Sequence, residues 1–294
     1  MPCRAVPVVV PEHAIGPTAD GVRPYPCHPQ GGLPGSDTRR PTLRGNLVLL
    51  LLVDLDPDLT ALRSLGGFFV LRTVAGTAHA PAESLPTLAQ TYAGAASDVH
   101  GDPITFRVRK VATALRAPEV RIAASVAHLG LTARLWSAAL GCAALYGRTP
   151  DLDPRLLRWD ADAAAPDDLW LTEVRPLPGD ATTLADIVLH GHLEPLAATL
   201  RDRYRLAQGL LWGNAGSALA GAARELDRWA RANDRTDTAA RARTLTAELF
   251  THPLLRETGT LTGTAFRRRS CCLYYRVPGG GVCGDCCFPR PPAA

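Results

Sequence analysis

Five of the chain's eight cysteines, Cys271, Cys272, Cys283, Cys286 and Cys287, fall in its last 24 residues. Their spacing is C-C-x10-C-x2-C with one further cysteine directly behind. Three chemistries compete for such a set. Four cysteines can hold a structural zinc ion, and Cys283-Gly-Asp-Cys286 has the usual C-x2-C knuckle. The other half has no spacer. Adjacent side chains on an extended strand point to opposite faces, so gripping one small ion from both strains the backbone. A wider [2Fe–2S] cluster, also held by four thiolates, tolerates the adjacent pair more easily. Disulfides, including a strained Cys271–Cys272 ring, are the third chemistry, and they belong to oxidising compartments.

The compartment therefore bears on the chemistry. The N-terminal Met-Pro-Cys-Arg-Ala-Val-Pro lacks the basic, apolar and small-residue regions of a secretory signal. The apolar run Leu47–Val53 is far shorter than the ~20 residues of a membrane helix. The uncharged window Leu206–Ala223 is interrupted by Gln208, Asn214, Ser217 and four glycines. The expectation is a cytoplasmic chain with no transmembrane segment, in which clustered thiols form a metal or catalytic site rather than a disulfide framework.

Charge gathers in the same place. The formal net charge is +4 over 294 residues, too mild to indicate a nucleic-acid partner. Residues 265–294 hold Arg267, Arg268, Arg269, Arg276 and Arg290 against Asp285 alone, and the rest of the chain balances. A thiolate-ligated cluster is anionic and becomes more so on reduction. Guanidinium groups beside it stabilise the reduced form and raise its potential. They also attract an anionic partner over about a Debye length, ~8 Å in physiological salt. Otherwise, three successive arginines without interleaved aromatics read as a solvated run.

The elements that position these thiols are read from periodicity and breakers. Leu273–Val277 alternates and is rich in Tyr and Val, which predicts a strand. Pro278-Gly279-Gly280-Gly281 is a turn, and Val282 starts the return arm of a hairpin that brings Cys271 and Cys272 towards Cys283 and Cys286. Upstream, Thr251–Thr264 reads as a tether. Val111–Leu115, Val120–Leu145, Leu184–Tyr204, Leu206–Ala232 and Thr238–Phe250 have helical spacing. Gly209, Gly213 and Gly216 in the fourth of these suggest close helix–helix contact or a kink. Leu156–Trp159 and Leu169–Val174 read as strands, while periodicity leaves Leu47–Leu55 and Gly67–Val74 between strand and helix. Residues 1–45, with Cys3 and Cys27, are dense in Pro and Gly and are expected to be disordered. The expected fold class is α+β, a predominantly helical body with a small β component and a C-terminal Cys-rich hairpin module. Residues 1–45 are its extension, 46–264 its body and 265–294 its module.

The C-terminal motif, with Arg268-Arg269-Ser270 before it and Leu273-Tyr274-Tyr275-Arg276 inside it, resembles the (2Fe-2S) ferric iron reductases that act on ferric siderophores. The segment Arg268–Cys286 carries the specific part of the likeness. A weaker likeness covers about residues 118–250, in Ala123–Gly147, Asp151-Leu152-Asp153-Pro154 and Leu211-Trp212-Gly213-Asn214, and resembles the domain these reductases share with siderophore synthetases. Cys287 departs from the pattern, which has a non-ligand residue such as proline there.

The resemblance implies a [2Fe–2S] cluster on Cys271, Cys272, Cys283 and Cys286, and a cytoplasmic reductase of imported ferric siderophore. Such an oxidoreductase lowers Fe(III) to Fe(II) so that hard oxygen chelators release it. Its electron donor would be a ferredoxin or an NAD(P)H-dependent flavin reductase, since Gly213-Asn214-Ala215-Gly216 is no dinucleotide fingerprint. Electron transfer needs no general acid, base or nucleophile. Trp212 and Asn214 are candidates to line a siderophore pocket, although a tryptophan in an Ala-rich helix is more often core. His128, His190, His192 and Cys142 read as packing or surface residues, and Asp151 and Asp153 as turn caps. The alternative function is a zinc-stabilised four-cysteine interaction module without redox activity.

Overall fold

The computed structural model describes residues 55, 59–74, 84–94, 102–290 and 292, all within the unit Leu52–Ala294. The extension 1–45, its two cysteines and most of the run Leu47–Leu55 lie outside the described residues. In chain order the helices are α1 (Leu88–Ala93), α2 (Pro103–Leu115), α3 (Val120–Tyr146), α4 (Ala181–Leu184), α5 (Glu194–Tyr204), α6 (Gln208–Ala232) and α7 (Thr236–Leu249). A π-helical stretch, Ala185–Leu193, joins α4 to α5. The strands are β1 (Arg72–Thr73), β2 (Arg148–Pro150), β3 (Leu157–Trp159), β4 (Leu169–Leu171), β5 (Pro176–Pro178), β6 (Gly259–Thr262) and β7 (Ala265–Arg268). The fold is α+β and mostly helical, as the periodicity predicts.

Helix α3 is the axis of the core. It is apolar on nearly every side, burying Ile122, Leu131, Leu135, Trp136, Leu140 and Cys142, as a helix enclosed by others must. Its one deeply buried cation, Arg134, is neutralised by Asp168 at 2.8 Å and by the carbonyls of Phe68 and Val70. Gly141 lets Leu62 and Phe69 approach the helix where a side chain would collide with them. Helix α6 packs along α3 through Leu211, Trp212, Ala215, Leu219 and Leu226, and α7 closes against both. Trp212 is therefore core.

The β component is slight. β4 pairs parallel with β1 and antiparallel with β3, β2 pairs with β5, and β6 with β7. The Asp151–Pro154 loop is held by its own carboxylates, Asp151 accepting from the Asp153 N–H and Asp153 from the Arg155 N–H. His192 is fully buried between the Leu152 carbonyl and the Tyr92 hydroxyl, and burial holds its pKa down to about 4. His190 sits on the surface beside Glu194. Both histidines are packing or surface groups, as their spacing suggests.

Two expectations at the C-terminal end are corrected. Thr251–Thr264 is no tether: after a series of turns it forms β6, which pairs with β7 in the register Gly259↔Arg268 to Thr262↔Ala265. Gly259 permits this because a Cβ there would overlap the Phe266 ring. Leu273–Val277 is no strand either. Leu273 takes a left-handed conformation (φ 70°), and Tyr274–Arg276 closes a 3-10 turn. The Leu273 N–H is drawn to Cys271 Sγ at 3.2 Å, and the Arg276 N–H to the Leu273 carbonyl. These local bonds replace a ladder, so Val282 and Cys283 have no strand to pair with. The hairpin in this region lies one element earlier, at β6–β7.

Candidate metal centre

The β6–β7 hairpin delivers the thiol segment to helix α6. Along β7 side chains alternate, so Phe266 and Arg268 point inward while Ala265 and Arg267 face out. Phe266 stacks against Phe250 with ring centroids 5.1 Å apart and reaches Gly216 of α6. Arg268 follows it inward. Its Nη2 donates to Asn214 Oδ1 at 2.7 Å and to the Leu210 carbonyl at 3.3 Å. The expectation of a solvated run holds for Arg267 and Arg269 and fails for Arg268, which is 2 % exposed.

Beyond β7 the segment is tied to the body at Ser270, Cys272, Arg276 and Asp285. Ser270 Oγ donates to the Gly209 carbonyl at 2.7 Å, and Ser125 Oγ of α3 donates to the Cys272 carbonyl at 2.8 Å. Asn214 Nδ2 donates in turn to the Ser125 carbonyl at 3.0 Å, so one buried amide links α3, α6 and Arg268. Arg276 pairs with Glu119 at the start of α3. On the return side, the Arg268 N–H donates to the Asp285 carbonyl at 3.0 Å. The Asp285 carboxylate accepts from Ser217 at 2.6 Å and Arg224 at 2.9 Å. That aspartate, between Cys283 and Cys286, staples the knuckle to α6. Gly213 thus makes room for the start of the cysteine segment, and Gly216 for Thr258 and the Phe266 ring of the β6–β7 hairpin. A Cβ at 213 would drive into Ser270 Oγ and come within 3.0 Å of Arg268 Nη2.

The thiols are gathered unevenly. Cys272 is buried, and Cys271, Cys283, Cys286 and Cys287 are partly exposed. Cys272 Sγ and Cys283 Sγ lie 3.7 Å apart. Two thiolates on one ion, at bonds of ~2.3 Å and a tetrahedral angle, stand ~3.8 Å apart, so this pair already has the edge of a metal site. Among the described residues no three potential ligands are placed around one ion. The backbone N–H of Leu273 donates to Cys271 Sγ and that of Phe288 to Cys286 Sγ, at 3.2 and 3.4 Å. The Cys287 carbonyl accepts from Arg267 at 3.3 Å.

Electrostatics agree with a pair that shares a proton. The hydrogen bond with Cys283 holds the Cys272 thiol below its ordinary value, helped by the Arg268 charge, and the same bond pushes Cys283 up. Burial pushes Cys271 up to about 11 and raises Cys287. Most of these thiols are therefore protonated without a metal, and metal binding must release protons. His128 is buried in α3, held down to about 3 by burial and by the Arg268 charge, and is core as expected.

Residues 268–288 match the family model described as the FhuF 2Fe-2S C-terminal domain. The cofactor that this description names is a [2Fe–2S] cluster. No curated protein matches the chain. The donor set fits such a cluster on two observations: the Cys272–Cys283 spacing, and the buried Nε and Nη1 of Arg268, which have no partner among the described residues. No helix among the described residues is long and apolar enough to cross a membrane. Sequence reasoning did not single out Ser125 or Arg224 and gave Asp285, Ser217 and Ser270 no anchoring role, because a lone polar residue carries no periodic signal. It named Asn214 for a siderophore pocket. The buried side chain serves instead as the link between Arg268 and α3.

Proposed function

We propose that this chain reduces the iron of a ferric siderophore by one electron in the cytoplasm, using a [2Fe–2S] cluster held by Cys271, Cys272, Cys283 and Cys286. The observation that carries the reading is the match of the thiol segment, Arg268 to Phe288, to a 2Fe-2S domain. When bound, a cluster of this kind accepts and gives up single electrons. The substrate Fe(III) gains one electron and becomes Fe(II), and the donor, a ferredoxin or an NAD(P)H-dependent flavin reductase, loses it. Fe(II) is a poorer match for hard oxygen ligands, so the siderophore lets it go.

The protein's own groups do the positioning. Asp285, Ser270 and Ser125 hold the segment against α6 and α3, so the four thiols keep their places when a partner arrives. Tyr275 packs edge-on against Phe288, and Val277 is buried, so the loop between the two halves of the thiol set is packed as well. Cys283 and Cys286 remain partly exposed, which leaves a short path to a bulky chelate that never enters the fold. Arg267, exposed beside Cys287, offers positive charge to an anionic substrate or donor.

The experiment is anaerobic mixing of the dithionite-reduced, desalted protein with a ferric hydroxamate, with Fe(II) trapped by a ferrous chelator. About one Fe(II) should form per cluster as the visible spectrum returns to its oxidised form. A reduced protein that keeps its electron against both hydroxamate and catecholate chelates would defeat the reading.

A further inference from the structure

Arg268 differs from its two neighbours in the arginine run. It is 2 % exposed, where Arg267 and Arg269 face solvent. A guanidinium offers five N–H donors. Nη2 serves Asn214 and the Leu210 carbonyl, while Nε and Nη1 are buried with no hydrogen-bond partner among the described residues. Asp285, whose carbonyl accepts the Arg268 backbone N–H, commits its carboxylate to Arg224 and Ser217, and no carboxylate among the described residues pairs with the guanidinium. A buried, unpaired cation with idle donors is costly, and it persists where an anion completes it. Its field falls on Cys272, Cys283 and Cys287 together. Asn214 fixes its orientation, and Asn214 is itself anchored to Ser125, which holds the Cys272 carbonyl.

We infer that Arg268 sets the potential of the metal centre: its buried charge and its free Nε–H and Nη1–H donors stabilise the reduced, more anionic state, with Asn214 holding the fork in place. The inference rests on the [2Fe–2S] reading above. Burial is what separates Arg268 from Arg269, because water and salt screen an exposed charge while a desolvated one acts at full strength.

The test is a spectroelectrochemical titration of the full-length, cluster-loaded protein, with iron and sulfide measured on every sample. Arg268→Gln should lower the one-electron reduction constant at least tenfold, a fall of ~59 mV. Asn214→Asp, which sets a carboxylate against Nη2, should lower the potential in the same direction. Arg269→Gln should stay near wild type. A wild-type potential in both Arg268→Gln and Asn214→Asp, at full cluster content, overturns the inference. So does an Arg269→Gln shift as large as that of Arg268→Gln. Where Arg268→Gln fails to assemble, Asn214→Asp decides alone. A wild-type protein without iron and sulfide overturns the cluster reading itself, whereas a loaded protein with unmoved variants overturns only the role of Arg268.

Discussion

Cys286→Ala should abolish the visible absorbance of the isolated protein, while Cys287→Ala leaves its iron and sulfide content at the wild-type level. The two thiols are neighbours with similar exposure, and sequence spacing alone favours Cys286. The local backbone adds a physical reason. The Phe288 N–H donates to Cys286 Sγ at 3.4 Å, repeating at the far end of the segment the Leu273 N–H bond to Cys271 Sγ. Backbone N–H bonds to ligand sulfurs tune the clusters so held. At Cys287 the contact is a different one, its carbonyl accepting from Arg267. Loss of any one of Cys271, Cys272, Cys283 or Cys286 should have the same effect as loss of Cys286. Full cluster content in Cys286→Ala, with an empty Cys287→Ala, would transfer the fourth position to Cys287.

Gly213→Ala should lower the unfolding temperature and loosen the hold on the cluster, although alanine is the better helix former by ~1 kcal/mol. A Cβ at this position would overlap Ser270 Oγ and crowd Arg268 Nη2, so the helix and the cysteine segment must part. Overpacking of this kind costs ~1–3 kcal/mol. The cost falls on the contact that seats Ser270 on the Gly209 carbonyl and Arg268 on Asn214. Gly221→Ala is the internal comparison. It lies in the same helix with nothing nearer to a new Cβ than Arg224 Nη2 at 3.9 Å, so it should be neutral or stabilising. Ser270→Ala should restore part of the stability lost in Gly213→Ala, a coupling that differential scanning calorimetry on the four proteins of the cycle would measure. Equal stability of Gly213→Ala and Gly221→Ala, both with full cluster, would mean the segment does not dock on this face.

Much of the body was legible in the sequence because its helices are long and their pattern repeats. Val120–Leu145 and Leu206–Ala232 were read within two residues of α3 and α6, and the two short strands β3 and β4 fell where branched and aromatic residues cluster between breakers. The thiol segment was legible from residue type and spacing, and the domain match covers the same stretch. The failures share a cause: in each, particular contacts override what residue type and periodicity suggest. Leu273–Val277 has strand composition, but a strand needs a partner. The bonds at hand, from the Leu273 N–H to Cys271 and within the 3-10 turn, are local. Thr251–Thr264 has breaker composition, yet Gly259 is there so that Phe266 can lie across β6. Gly213 announced a close approach without naming what approaches. Arg268 was the least legible residue, since its burial depends on the two-residue alternation of β7 and on an amide 54 positions away.

The most direct test of the account is the composition of the anaerobically isolated wild-type protein. Iron, acid-labile sulfide and zinc should be measured on one sample, with the visible spectrum recorded before and after dithionite. The account predicts a red-brown protein holding about two iron and two sulfide per chain, with absorbance that bleaches on reduction. A colourless protein with about one zinc per chain and no sulfide would contradict it, and would return the thiols to a structural role.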